Sequence, residues 1–333
     1  MSARFDQTVD LLKAVAEPTR LRLVLLLREQ DLTVSDLTGI LRQSQPRVSR
    51  HLKLLVEAGV VSRTQEGAWA YFRLGDDPLV AALAQTLHGT LEATDGTALR
   101  DREGLEAIRE ARAERAATYF ARNAEHWDRI RSLHAPEREI EAGLLEVVGQ
   151  APFESFLDVG TGTGRLLELL APLCERAVGI DASREMLGLA RAKLDAAGLR
   201  NATVRQADVY RLPVPRRSFD LVALHHVLHY LQDPAAAIRE AAGALAPGGR
   251  LILVDFAPHD LEFLRAEHAH LRLGFSAETL SSYLAGAGLA LSSTRVFDPP
   301  ADAPQSLRVI LAVAEHAVAP ATPRALPVRS VSA

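Results

Sequence analysis

Cysteine is nearly absent from the 333-residue sequence, which contains only Cys174. A single thiol excludes an intrachain disulfide, and it also excludes a zinc or arsenic site built from several cysteines. Because Cys174 follows the first predicted crossover helix of the C-terminal half, we interpret it as a packing residue. Aromatic residues are also scarce, at 5% of the chain, so the hydrophobic cores must be largely aliphatic.

Long hydrophobic runs are missing as well. The longest ones, such as residues 23–27, fall far short of the ~20 apolar residues that a membrane-spanning helix needs. The first ten residues lack a basic stretch followed by an apolar stretch, so no signal peptide is expected. We therefore expect a cytoplasmic protein that does not contact membranes.

An overall excess of positive charge is absent, because the formal net charge is −4 and the pI is about 6.3. That balance argues against a nucleic-acid binder that is basic throughout. Positive charge is nevertheless concentrated locally. Residues 42–56 hold four Lys or Arg and no acid, whereas residues 1–80 hold eleven Lys or Arg against ten acids. The basic stretch is therefore the candidate nucleic-acid contact.

Hydrophobic spacing near the N-terminus predicts short helices followed by a hairpin. The predicted elements are two helices on either side of residues 17–19, a third helix over 34–41, a fourth that begins after Ser44, and strands over 60–64 and 68–73. We expect the Ser44 side chain to cap the fourth helix, with Pro46 in its first turn.

The fourth helix would present two different faces. Val48, Leu52 and Leu55 form an apolar face, while the rest carries cationic and polar side chains suited to the major groove of DNA. The candidate DNA-binding residues are Gln45, Arg47, Ser49, Arg50, His51 and Lys53. The alternative is a helical bundle with a solvated basic face.

Residues 5–88 resemble the ArsR/SmtB family of winged-helix repressors. The resemblance is carried by the runs AVAEPTRLRLVLLL, VSDLTGIL, SQPRVSRHLKLLVEAGVV and a hairpin that ends in YFRL. It implies a homodimer formed through the first and last helices and a palindromic double-stranded operator. Metal-sensing members carry two cysteines where this chain has Thr33 and Ser35, and the other usual site is reduced to His88. We therefore expect no metal.

The organisation predicted from these patterns is multidomain. A mainly α winged helix-turn-helix domain over 1–90 precedes a helical connector and lid over 91–142. An α/β Rossmann-like domain follows over 143–316, with a proline- and alanine-rich disordered tail over 317–333. The connector is charged and lacks proline between residues 98 and 134, which predicts a long, largely solvated helix.

A glycine-rich turn after a predicted strand marks the candidate ligand site. Gly160, Gly162 and Gly164 let the backbone approach a ligand and turn into a helix. The spacing is G-x-G-x-G, so the dinucleotide fingerprint is incomplete and a role in cradling pyrophosphate is disfavoured. Three acids complete the pattern. Asp158 is placed to face an ammonium group of the ligand, Asp181 can accept hydrogen bonds from ribose hydroxyls, and Asp208 can accept one from an adenine amino group.

Residues 118–316 resemble the class I S-adenosylmethionine-dependent methyltransferases. The matching motifs are FLDVGTGTGRL, VGIDAS, QADVYRLP, FDLVALHHVLHYLQDP and LAPGGRLILVD. The resemblance implies that S-adenosylmethionine or S-adenosylhomocysteine binds here. It places Ala182 or Met186 against the adenine, Val209 beside Asp208 at the adenine edge, and His225 near the donor methyl. The upstream run AEHWDRIRSLHAP resembles the lid helix, so Tyr119 and Trp127 are expected to cover the pocket.

The sequence does not identify a catalytic residue. A general base is needed only if the acceptor must lose a proton. The leading candidates are His225 and His259, and the other histidines considered are His226, His229, His268 and His270. His226 and His229 are interpreted as packing residues beneath the sheet. The run Glu267–His270 is expected on a helix that aims its histidines apart, so no metal site is predicted there.

Two functions follow from this organisation. The first is a DNA-binding transcriptional repressor whose effector is S-adenosylmethionine or S-adenosylhomocysteine. It resembles ArsR-type regulators of methionine metabolism that respond to S-adenosylhomocysteine. The second is an active methyltransferase on a small-molecule acceptor, with an autoregulatory DNA-binding domain. Arsenic methylation is excluded by the cysteine count, and DNA methylation lacks its motifs.

Overall fold

The computed structural model describes residues 5–66, 69–75, 77–92, 94–127, 137–149, 151–299 and 307–316. Its N-terminal part is a winged helix-turn-helix domain whose three-stranded sheet has the order β1-β3-β2. The elements are α1 (Phe5–Val15), α2 (Pro18–Glu29), β1 (Leu32–Thr33), α3 (Val34–Leu41), α4 (Gln45–Glu57), β2 (Val61–Glu66), β3 (Trp69–Leu74) and α5 (Pro78–Thr90). The predicted helices and the hairpin are confirmed.

Side chains at the N-termini of the helices determine where the helices of this domain begin. The Glu17 carboxylate accepts the Arg20 backbone N–H at 2.8 Å and begins α2. Thr33 and Asp36 form a reciprocal capping box at the start of α3. The predicted Ser44 side-chain cap of α4 is wrong, because this side chain makes no capping hydrogen bond. Pro46 in the first turn supplies the helical φ angle instead.

A single long helix, α6 (Gly96–Asn123), connects the two halves of the chain. Its 28 residues extend about 40 Å at the usual rise per residue. The first half belongs to the winged-helix core, where Leu105 is 3% exposed and Gly104 lies against Ile40. A short 3₁₀ turn, Ala124–His126, follows its C-terminal end. The connector is therefore a long and largely solvated helix, as expected, and only Asp101 and Leu105 are buried against the winged-helix domain.

The second domain is Rossmann-like and is built on a seven-stranded sheet of order β6-β5-β4-β7-β8-β10-β9. The strands are β4 (Phe153–Val159), β5 (Cys174–Asp181), β6 (Ala202–Gln206), β7 (Phe219–His225), β8 (Leu245–Phe256), β9 (Leu289–Phe297) and β10 (Val309–His316). Strands β4 to β8 pair in parallel, whereas β10 is antiparallel to β8 and β9. The sheet is thus mixed, because β10 inserts between β8 and β9.

Helices cover both faces of this sheet and create two cores. They are α7 (Glu137–Val148), α8 (Arg165–Leu170), α9 (Arg184–Ala196), α10 (Pro234–Ala244), α11 (Phe263–Glu267) and α12 (Ala277–Gly286). Along β4, Phe156 points into one core and Leu157 into the other, as the alternation of a strand requires. Because α7 continues through residues 142 and 143, the helix spans the boundary expected between connector and Rossmann-like domain.

Several predictions fall on residues that the structure does not describe. They concern the tail over 317–333, the wing turn at residues 67–68 and most of the lid run, at residues 128–136. Across the described ranges, no helix is both long and apolar enough to cross a membrane.

Truncation of the buried leucine on α6 tests whether this helix belongs to the winged-helix core. We expect Leu105→Ala to reduce the free energy of unfolding by about 2–4 kcal/mol, because it leaves a cavity among buried side chains. Leu99→Ala on the same helix is the matched control. Leu99 is 38% exposed, so its loss should change stability by no more than about 0.5 kcal/mol. Urea denaturation followed by circular dichroism measures both, and equal effects would contradict the assignment.

Candidate functional site

The glycine-rich turn between β4 and α8 forms a cradle at the carboxyl end of the sheet. Gly160, Gly162 and Gly164 have φ angles of +78°, +52° and +83°, which side-chain-bearing residues rarely adopt. A Cβ atom on Gly160 would lie 2.3 Å from Val227 Cγ2. The turn follows β4, which lies between β5 and β7 in the sheet. The strand order reverses at this point, and open α/β sheets bind their ligands at such reversals.

The three acids predicted from the motifs surround this turn. Asp158 is 1% exposed and accepts the Thr161 hydroxyl at 2.6 Å. Asp181 accepts the backbone N–H groups of Gly162 and Ser183, both at 2.8 Å. Burial raises the pKa of Asp181, and these backbone hydrogen bonds counteract part of that rise. Asp208 accepts the Tyr210 backbone N–H at 2.9 Å. The acids therefore help to hold the loops that shape the site.

A cavity of about 410 Å³ opens in front of the cradle, a volume typical of small-molecule sites. Most of the residues predicted to hold the cofactor line it. These are Asp158, Gly160, Gly162, Asp181, Ala182, Met186, Asp208, Val209 and His225. Gly164 does not line the cavity, because it begins α8 and packs close to Ala190.

The second half of α6 forms the opposite wall of this cavity. Small side chains at Ala113, Ala116 and Ala117 face it, together with Arg112 at one end and Phe120 at the other. The sequence did not reveal this wall, because alanines in a charged helix give no signal beyond helix propensity. The cavity is thus closed by a helix whose other half lies in the winged-helix core.

Aromatic side chains cover one end of the cavity. The Phe120 ring packs edge-on against Trp127 and Tyr230, with centroids 5.3 Å and 4.8 Å away. Trp127 lines the cavity as expected of a lid, whereas Tyr119 packs behind it and shares a 2.9 Å hydrogen bond with His268 Nδ1. Burial raises the pKa of Tyr119 to about 12. Phe120 and Tyr230 were not predicted.

The histidines separate into different environments. His225 and His226 both line the cavity, and His226 has an unusual φ of +54°. The favoured interpretation of His226 as a packing residue does not account for its position at the cavity. His229 is 2% exposed and hydrogen-bonds through Nδ1 to Asp255 Oδ1 at 2.7 Å. Burial would raise the pKa of Asp255, but the charge and hydrogen bond of His229 hold it below its ordinary value.

His259, a candidate general base, does not line the cavity. Its Nδ1 accepts the Leu261 backbone N–H at 3.2 Å, which requires an unprotonated nitrogen there. Burial lowers the pKa of His259 to about 4, and positive charge from His229 and Arg265 contributes, against the opposing effect of Asp255. The structure therefore gives His259 a packing environment.

Metal ligands were not predicted, and the run Glu267–His270 does not form a joint site. The helix expected there ends at Glu267, and the two histidines turn to different partners: His268 to Tyr119, and His270 to a stack on His229 with centroids 4.3 Å apart. A different group, His226, His229 and Asp255, brings candidate ligand atoms within 4.8 Å of one another. Within this group, His229 Nδ1 and Asp255 Oδ1 already share a hydrogen bond of 2.7 Å.

The basic helix α4 lies on the surface of the winged-helix domain. Gln45, Arg47, Arg50 and Lys53 are exposed, and Ser49 is half-buried. His51 is drawn toward α2, where its Nδ1 lies 3.4 Å from Glu17 Oε2. Four of the predicted DNA-binding side chains thus remain accessible from one helix.

Comparison with protein families finds one match in each domain. Residues 17–63 match the family described as bacterial regulatory protein, arsR family. Residues 157–253 match a methyltransferase domain. The two matches fall on the domain with the exposed basic helix and on the domain with the glycine cradle.

Individual relatives each resemble one half. An uncharacterized methyltransferase of Bacillus subtilis, YcgJ, is 32% identical over 145 residues, covering 43% of this chain and 56% of the relative. The arsenical resistance operon repressor of Escherichia coli is 48% identical over 67 residues, covering 20% of this chain and 57% of the repressor. The crystal structure of YcgJ gives a TM-score of 0.47 at 21% identity, over 54% of this chain and all of that one. The chain spans about half the length of these curated relatives.

The environment of His259 predicts a pH dependence of stability. Its pKa is lower in the folded protein than the ordinary 6.5, so the unfolded chain binds the proton more readily. Stability from this residue is fully present above pH 6.5 and is lost as the pH falls toward about 4. We expect a loss of about 1–2 kcal/mol, less than the full pKa shift implies because the ring is partly exposed.

The variant His259→Asn keeps an acceptor for the Leu261 N–H and removes the titrating ring. Urea denaturation at several pH values between 4 and 7 should show a shallower loss of stability in the variant than in the wild type. Identical pH profiles of the two proteins would show that His259 does not contribute.

Proposed function

We propose that this chain, which joins an arsR-family helix-turn-helix domain to a class I methyltransferase domain, is a DNA-binding transcriptional repressor with a ligand-responsive second domain. Its effector is S-adenosylmethionine or S-adenosylhomocysteine. One observation carries the proposal: α6 is at once part of the winged-helix core and a wall of the ligand cavity. A ligand that displaces this wall also acts on the helix-turn-helix unit.

The attachment of α6 to the winged helix is polar as well as apolar. Asp101 forms a two-point ion pair with Arg22 of α2, at 2.7 and 2.5 Å. Arg112 donates to both oxygens of Asp36, at 2.6 and 2.7 Å. Arg112 lines the cavity, while Asp36 is the capping carboxylate of α3. The cavity wall and the first helix of the helix-turn-helix unit are therefore joined by one ion pair.

The residues at the cradle fit the chemistry of the proposed effector. Gly160 and Gly162 line the cavity with backbone alone, and glycine at 160 lets the turn pack against Val227, with which a side chain there would collide. Asp158 would face the ammonium group, Asp181 the ribose hydroxyls and Asp208 the adenine amino group. When bound, S-adenosylmethionine supplies an electrophilic methyl group, and S-adenosylhomocysteine supplies none.

The proposed DNA contact uses α4, with Arg47, Arg50 and Lys53 toward the major groove and the phosphates. A palindromic operator requires two copies of the helix. We propose a homodimer in which α1 contributes to the interface, because Phe5 and Leu12 on this helix are 82% and 50% exposed. A second copy of the chain would cover this apolar surface.

The required coupling is modest. Typical coupling between two sites changes an affinity by about 5–150-fold, so the effector need only favour one arrangement of the winged helices by that factor. A saturating ligand is expected to change operator affinity within this range.

Operator binding with and without ligand tests the proposal. Fluorescence anisotropy on DNA from upstream of the gene should show at least about a fivefold change in Kd with saturating S-adenosylhomocysteine or S-adenosylmethionine. Gly160→Ala should abolish the change, because its Cβ would lie 2.3 Å from Val227 and distort the cradle. Gly198→Ala is the matched control. Gly198 also has a positive φ, +68°, yet nothing lies within 4 Å of its Cβ position.

Two results would contradict this function. One is an operator affinity that neither ligand alters although calorimetry shows that the ligand binds. The other is equal loss of the response in Gly160→Ala and Gly198→Ala, because only the first position borders the cavity.

A second function, methyl transfer to a small acceptor, is favoured by His226. Its ring lines the cavity, its backbone N–H donates to Val254 O at 2.8 Å, and its strained φ of +54° fixes it at the end of β7. Side-chain polar atoms of His226, His229 and Asp255 lie within 4.8 Å of one another. His226 would take the proton of an O–H, N–H or S–H acceptor whose electron pair forms the bond to the methyl carbon. The carbon–sulfur bond of the donor would break with its electron pair going to sulfur, and S-adenosylhomocysteine would leave.

This second function predicts transfer of a labelled methyl group from S-adenosylmethionine to an added phenol, amine or thiol. His226→Gln should lower the transfer rate about 100-fold while ligand binding measured by calorimetry persists. His126→Gln, an exposed histidine, is the control. Ligand binding without transfer to any acceptor would leave the regulator as the function of this domain.

A further inference from the structure

The methyltransferase domain contacts the wing, the hairpin of β2 and β3, through two buried arginines and a backbone carbonyl. We define the wing clamp as Arg265, Leu271 and Arg272, acting on Tyr71 of β3 and on Asp31 before β1. We propose that the wing clamp relays occupancy of the ligand cavity to the wing. This inference rests on the regulatory function proposed above and names the contacts that would execute it.

Tyr71 is the point at which the wing is held. Its ring is 4% exposed, and its hydroxyl donates to the Leu271 carbonyl at 2.6 Å. The same hydroxyl accepts a hydrogen bond from Arg265 Nη1 at 3.1 Å, and Arg265 also donates to the Leu271 carbonyl. The Arg265 guanidinium lies 4.8 Å from the ring centre of Trp69 on the same strand. Strand β3 is thus fixed to a loop of the other domain.

Arg272 holds the base of the wing. It is 2% exposed, pairs with Asp31 at 3.2 Å and places its guanidinium carbon 4.0 Å from the Tyr71 ring centre. A buried cation is costly unless it is paired and hydrogen-bonded, so this geometry must persist for the domains to remain docked. The contact between the two domains therefore depends on these particular side chains.

The clamp is anchored on residues that line the cavity. Its two carbonyl acceptors are Leu271 O, which binds Tyr71 and Arg265, and Gln232 O, which accepts from Arg272 at 3.3 Å. Both Leu271 and Gln232 are cavity-lining residues. A ligand that shifts either backbone segment must also shift the hydrogen bonds that hold the wing.

The loops that carry these carbonyls are themselves tied together. The backbone N–H groups of Leu271 and Arg272 donate to His229 O, at 2.8 and 3.1 Å, so the two loops move as one. The Gln232 side chain donates to Arg109 O of α6 at 2.9 Å. The clamp thus complements the α6 contact: Arg112 acts on α3 through Asp36, whereas the clamp acts on β1 and β3.

Two conservative variants on the winged-helix side test the clamp without touching the cavity. Tyr71→Phe removes the hydroxyl that binds Leu271 O and Arg265, and Asp31→Asn neutralises the partner of Arg272. Tyr283→Phe in α12 is the control, because this tyrosine is similarly buried, at 8% exposure, and lies outside the clamp and the cavity. For each protein, the operator Kd is measured with and without saturating S-adenosylhomocysteine, and ligand affinity is measured by calorimetry.

We expect both clamp variants to bind S-adenosylhomocysteine with unchanged affinity and to show a ratio of operator Kd values that falls toward one. Tyr283→Phe should keep the wild-type ratio, within the about 5–150-fold range expected for coupled sites. Clamp variants that keep the wild-type ratio would overturn the clamp and leave the regulatory function standing. A ratio of operator Kd values of one in the wild-type protein would overturn both the clamp and the regulatory function.

Hydrogen exchange on the unmodified protein gives a readout that needs no variant. We expect S-adenosylhomocysteine to change the exchange rates of the amides of β3, Trp69–Leu74, as well as those lining the cavity. Changes confined to the cavity, with β3 unaffected, would contradict the relay.

Discussion

The structure depends on one helix that satisfies two domains at once. Leu105 and Gly104 of α6 pack in the winged-helix core, and about two to four turns later Ala113, Ala116 and Phe120 line the ligand cavity. A rigid helix cannot tilt at one end without moving at the other. The salt bridges of Asp101 and Arg112 fix its rotation as well. The winged-helix domain, which carries the proposed DNA-contact helix α4, and the wall of the cavity are therefore physically linked.

Much of this fold could be predicted from local sequence patterns. The apolar spacing of α4, with Val48, Leu52 and Leu55 buried, indicated both the helix and its exposed basic face. The G-x-G-x-G turn after a strand indicated the cradle, because positive φ angles and close backbone approach require glycine. Each of these two features is determined by residues a few positions apart, so a local sequence pattern is enough to predict it.

The unpredicted features involve residues distant in sequence. Tyr71 and Leu271 are 200 positions apart, and no pattern within either segment indicates that they form a hydrogen bond. The alanines of α6 looked like helix formers in a charged connector, but their small size is what leaves room for the cavity. The sequence favoured a packing role for His226, but this residue has a φ of +54° and lines the cavity. Tertiary packing, rather than propensity, decides these positions.

The most direct test of a linkage between cavity and DNA-binding surface is its reciprocity. Calorimetry should measure the Kd for S-adenosylhomocysteine with the free protein and again with the protein saturated by operator DNA. If α6 and the wing couple the two sites, DNA must change ligand affinity by the same factor by which the ligand changes DNA affinity. The account predicts equal factors of at least about five. Identical ligand affinities in the presence and absence of DNA would contradict it.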